Sequence, residues 1–150
     1  MPVRSRIQQH QFESATQEAM VSLLVAAGHL TQRINDLCRE HGITHDQYNI
    51  LRILRGVHPE GHPRCEIASR LMSRSPDVTR LIDRLERAGL VRRGWGPENR
   101  RHSIATITAE GLAVLEAIDP GLRAVGQELT AGLSLQELEQ LSRTCNRLVG

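Results

Sequence analysis

Lysine is absent from this chain, and all 19 cationic side chains are arginine. Arginine offers a planar fork of donors suited to phosphate and guanine edges, but so complete a bias is read first as genome composition. Aromatic residues are nearly absent too: Phe12, Tyr48 and Trp95 are the only ones. The core must therefore be built from Leu, Ile, Val and Ala, which suits helices better than a β-sandwich. Cys38, Cys65 and Cys145 are odd in number and widely spaced, with no CxxC pair, so reduced thiols are expected rather than a disulfide scaffold. No apolar run approaches the roughly 18 residues that span a bilayer, and Met1 to Gln11 lacks the apolar stretch of a secretory signal. No membrane association is expected, and the cytoplasm is the expected location. With no Gly-rich phosphate loop, nucleophile elbow or paired-carboxylate motif, neither an enzyme nor a cofactor is expected.

What is present fits one compact domain over 1–150: hydrophobic residues make up 39% of the chain, enough for a core. The net charge of +2 does not by itself suggest a nucleic-acid partner. Its distribution says more. From Arg64 to Arg101 ten arginines face five acids, a surplus of five, which leaves −3 for the rest of the chain.

From Ser14 to Glu40, apolar residues from Ala19 to Leu37 recur at spacings of three and four, the mark of a long amphipathic helix that Gly42 ends. Thr44 with Gln47 forms a capping box opening a second helix to about Arg55. Gly56 to Pro63 holds two glycines and two prolines and reads as a loop. A short helix over 64–71 follows, then a tight link through Arg74. Ser75 as N-cap, Pro76 at the first helical position and Asp77 in the first turn mark a new helix. Its apolar stripe is Val78, Leu81, Ile82, Leu85 and Ala88, with Thr79, Arg80, Asp83, Arg84 and Arg87 opposite and Gly89 closing it. Segments 90–95 and 101–107 read as a hairpin. Thr108 caps a helix from about Ala109 toward Leu129, expected to kink or break near Pro120-Gly121. Ser134 with Glu137 opens a last helix carrying Leu138, Leu141, Cys145 and Leu148 on one face.

Helix, short helix, tight turn, capped helix and hairpin form the order of a winged helix-turn-helix, in which the second helix of the pair enters a major groove. The fold expected is mainly α with a small β-hairpin wing. Segment 75–88 has what a recognition helix needs: an apolar stripe to fix it, and an opposite face long enough to reach bases and phosphates. Arg100 and Arg101 at the hairpin tip would reach an adjacent groove or backbone. The plain alternative pairs the arginines at 80, 84 and 87 with Asp83 and Glu86 as a solvated mixed-charge face.

The run from Val78 to Arg93, then Asn99-Arg100-Arg101 and Ile107-Thr108-Ala109-Glu110-Gly111, resembles the MarR family of bacterial regulators, and the flanking helices agree in order and length. The resemblance implies an obligate homodimer joined by helices over 14–40 and 109–149, with the winged helix-turn-helix over 44–107. It implies binding to pseudo-palindromic promoter sites on double-stranded DNA, usually as a repressor released by a small ligand or by oxidation. By the same resemblance Ser75, Pro76, Thr79 and Arg80 face the major groove. Arg84 is either a salt-bridge partner or a phosphate contact, and Arg101, with Arg100 beside it, belongs to the wing. The family commonly has Asp before the paired arginines; here Asn99 stands there, and Glu98 is the nearest carboxylate.

The signal is less defined. A sensing thiol needs a depressed pKa and access, whereas Cys38 and Cys145 lie by apolar stripes and read as buried structural cysteines. Cys65, beside Arg64, has the most favourable charge surroundings. Cys38, His41 and His45, and separately His58, His62 and Cys65, have spacings open to zinc, but neither set is a recognised motif. A metal- or redox-responsive regulator of this fold is therefore one alternative. A winged-helix protein-interaction module without DNA binding is another. No charged cluster or aromatic group names a small-molecule effector.

Overall fold

The computed structural model describes residues 2–9, 11–72, 77–96 and 99–150, with the backbone alone at 96 and 99–102. The described elements are α1 (Val3–Arg6), α2 (Ala15–Glu40), α3 (His45–Arg55), β1 (His62–Pro63), α4 (Arg64–Arg70), α5 (Val78–Arg87), β2 (Val91–Gly96), β3 (Asn99–Ile107), α6 (Ala109–Thr130) and α7 (Leu135–Val149). The three strands form one antiparallel sheet in the order β1-β3-β2.

Local signals set most helix starts. The Ser14 and Thr108 hydroxyls accept from the backbone N–H groups of Gln17 and Gly111, and complete capping boxes stand at Thr44/Gln47 and Ser134/Glu137. Gly89, with φ of +75°, ends α5 in a left-handed turn that a residue with a Cβ adopts only at a cost.

Two expectations change. The segment read as loop from Gly56 to Pro63 ends in a strand: His62 and Pro63 pair with Ala105 and Ile104 of β3. Two residues, one of them proline, are too short to show a period-two pattern. The expected break at Pro120-Gly121 is also absent, since α6 runs from Ala109 to Thr130 with Pro120 inside. Gly121 lies where α6 meets α2, and a Cβ there would stand 2.7 Å from a Leu37 methyl. Gly121 therefore serves close helix packing rather than a turn.

The core gathers Ile50, Leu51 and Leu54 of α3, Ile67 of α4, Ile82 and Leu85 of α5, Val91 and Ile107 of the sheet, and Leu115 and Ile118 of α6. This is the aliphatic core that the scarcity of aromatics requires. Only Cys38 of α2 joins it as a buried residue, and α7 buries none. No helix among the described residues is long and apolar enough to cross a membrane.

Candidate nucleic-acid interface

The short helix α4, a link and the capped helix α5 form the helix-turn-helix pair, and β2–β3 the wing. Val78, Ile82 and Leu85 fasten α5 to the core, while Thr79, Arg80, Arg84 and Arg87 are exposed on its outer side. The helix starts later than Ser75-Pro76 predicts. Asp77 is its N-cap, its carboxylate accepting from the Arg80 backbone N–H at 3.0 Å, and Val78 is its first residue. Ser75 and Pro76 lie outside the described residues.

The two carboxylates within α5 do not neutralise that outer face. Arg93, on β2, reaches back to Asp83 at 2.6 Å and Glu86 at 2.7 Å. Its hydrogen bond to Glu86 and the charges of both acids hold its guanidinium more firmly protonated than usual. The mixed-charge reading, which paired Asp83 and Glu86 with the arginines of the helix itself, is thereby corrected. Arg80 pairs with its own cap residue Asp77 at 3.0 Å and stays 77% exposed, a contact of the kind worth about 0–1 kcal/mol. Among the described residues Arg84 and Arg87 have no ion pair. Sequence reasoning placed Arg93 in the hairpin, the family-like run and the basic surplus, but gave it no partner. Its role depends on a strand packing against a helix, which no spacing along one element reveals.

On the wing, Arg92 and Trp95 are exposed. Arg100 and Arg101 fall within β3, and their side chains lie outside the described residues. Thr79 also lines a cavity of about 300 Å³ with Arg64, Cys65, Arg93 and Ser103, between the start of α4, α5 and the sheet.

The thiols differ in surroundings. Cys38 is fully buried, and desolvation pushes its pKa up to about 11; Cys65 is exposed. Cys145 is only half-buried, a correction to its reading as a core cysteine, because the face of α7 that holds it is not covered within this chain. Neither zinc-spaced set converges: no group of three His, Cys, Asp or Glu side chains placed to hold a metal occurs among the described residues.

Comparison with known proteins agrees with this geometry. The MarR family model matches residues 43–103. The transcriptional regulator MhqR of Bacillus subtilis is 27% identical over 119 residues, 79% of this chain and 81% of its own length. A MarR transcription factor from Planctomyces limnophilus is 37% identical, with a TM-score of 0.70, over 91% of this chain and 98% of that one. The fold also matches a mutant MarR from E. coli complexed with operator DNA, at 22% identity and a TM-score of 0.77, over 85% of this chain and 91% of that one. With a relative 37% identical along nearly its whole length and the family model on the winged segment, this chain belongs to the MarR family of transcriptional regulators.

Proposed function

We propose that this chain acts in the cytoplasm as a homodimeric regulator that binds a pseudo-palindromic promoter site on double-stranded DNA. Segments 14–40 and 109–149 serve as dimerisation helices and 44–107 as the DNA-binding unit. The observation that carries the reading is Arg93: by engaging Asp83 and Glu86 from the wing strand, it leaves the outward side of α5 with cationic reach. Thr79 and Arg80 read bases from the major groove and Arg84 holds a phosphate. Ser75, Pro76, Arg100 and Arg101 enter on the family resemblance. Releasing Arg80 from its exposed contact with Asp77 costs little.

The dimer rests on the terminal helices. Met20, Leu23 and Leu24 of α2 and Leu135, Leu141 and Leu148 of α7 are each at least 40% exposed, and an apolar groove of about 670 Å³ runs between the two helices. Apolar stripes of this size on capped helices call for a covering partner, and a second copy meets the need by symmetry. Repression released by a small ligand is the expected mode. A cavity of about 350 Å³ between α2 and the start of α3, lined by Gln32, Asn35 and His45 among others, lies where such an effector would couple the dimer helices to the winged unit.

The test is titration onto labelled duplex from upstream of the chain's own coding sequence and onto scrambled duplex, at two salt concentrations. Tight, salt-sensitive preference for the upstream duplex is expected. Arg80→Ala is expected to cost about 1–3 kcal/mol on that duplex alone, while Arg101→Ala weakens both duplexes and flattens the salt slope. Absence of preference in the wild type would favour the protein-interaction module instead.

A further inference from the structure

Apart from the terminal helices and the turn between α6 and α7, the large hydrophobic side chains exposed among the described residues are Met72 and Trp95. Trp95, the sole tryptophan, stands on the wing strand β2 at 66% exposure. An indole joins a large apolar body to one N–H donor, a combination enriched at interfaces where one side is apolar and the other polar.

Its direction follows from the strand. Val91 points into the core and Arg93 turns onto Asp83 and Glu86 of α5, so Trp95, two residues further, lies on that same face. The pairing with β3 stays regular through Trp95 opposite Ser103, and the register shifts only after it. Arg93, Gly94, Trp95 and Ser103 border an open depression of about 300 Å³. The indole thus stands beyond the end of the core, on the side of the wing that looks along the recognition helix. On the DNA-binding reading above, a duplex seated against the outward arginines of α5 would meet the wing on this side.

We propose that Trp95 is a DNA-contact residue of the wing. Its ring packs against the sugar–phosphate backbone beside the groove that α5 enters, and its Nε1–H donates to a phosphate oxygen. The assignment rests on the DNA-binding reading above and adds to it a contact of a different kind. The arginines act through charge and counterion release, which salt weakens; the indole brings no charge, so its share of affinity is independent of salt.

The sole tryptophan is its own reporter. The full-length wild-type chain is titrated with the upstream and scrambled duplexes, following tryptophan emission and the anisotropy of a label on the DNA together. Emission is expected to change in step with anisotropy. Trp95→Ala is expected to lose about tenfold in affinity with an unchanged salt slope and unchanged circular dichroism, and Trp95→Phe to recover part of the loss. Emission that stays constant while anisotropy reports saturation, or a Trp95→Ala variant that binds like wild type, overturns the assignment and leaves the DNA-binding reading standing. No anisotropy change with either duplex at low salt overturns both.

Discussion

Helices α3 and α7 begin alike and end up in opposite surroundings. Each opens on a complete capping box, Thr44 with Gln47 and Ser134 with Glu137, and each carries apolar residues at helical spacing. Yet α3 buries six of its residues and α7 none. The winged middle satisfies its apolar faces against itself: α3, α4, α5, the sheet and the first half of α6 share one core. The ends do not. Caps and periodicity form a helix and give it a face, but they do not say whether that face is met by the same chain or by another.

The largest expected effect comes from charging the uncovered faces. Leu23→Asp combined with Leu141→Asp is expected to reduce the sedimenting mass at micromolar concentration from two chains to one. The rise of the melting temperature with concentration, expected for the wild type, would vanish with it. A variant that still sediments as two chains would move the seam off α2 and α7. Leu54→Ala, in the middle, makes the opposite kind of damage. It removes a fully buried side chain and is expected to cost about 2–5 kcal/mol in denaturant unfolding, with the dimer otherwise intact; a cost below 1 kcal/mol would mean the core is not continuous there.

Smaller is the effect of Arg84→Ala, which touches neither core nor seam. It is expected to weaken binding to both duplexes alike and lower the salt slope by about one, as loss of one phosphate contact does; loss confined to the upstream duplex would make Arg84 a base reader. The smallest effect is chemical. With the Cys38 pKa raised to about 11, its thiolate is present at only about one part in a thousand at pH 8. Labelling by a thiol reagent is therefore expected to be fast at Cys65 and absent at Cys38 while the chain stays folded. Cys145 is expected to become protected as concentration rises and the second copy covers α7. Rapid labelling of Cys38 would show that the α2–α3 junction opens.

Much of this was legible in the sequence, and for a physical reason. Thr44, Thr108 and Ser134 act on backbone groups three residues away, so the signal and its effect share one stretch of chain. The apolar stripe of α5 is equally local. What escaped depends on contacts between distant segments. Strand β1 exists because β3 lies beside it, Pro120 stays helical where Gly121 lets α6 close on Leu37, and Arg93 finds Asp83 and Glu86 only once the wing folds back. The start of α5 was missed by a near tie, with Asp77 taking the cap that Ser75 promised. At the site, the helix carrying Thr79, Arg80 and Arg84 was readable. Which of its charges stay uncompensated was not, because the compensating residue sits on another element.

The most direct measurement is the mass of the complex, by sedimentation, between the full-length chain and the upstream duplex at low and moderate salt. The account predicts two chains per duplex, formed in one step and weakened by salt, with the free protein already a dimer. One chain per duplex, or a dimer that binds upstream and scrambled duplexes equally at every salt concentration, would contradict it.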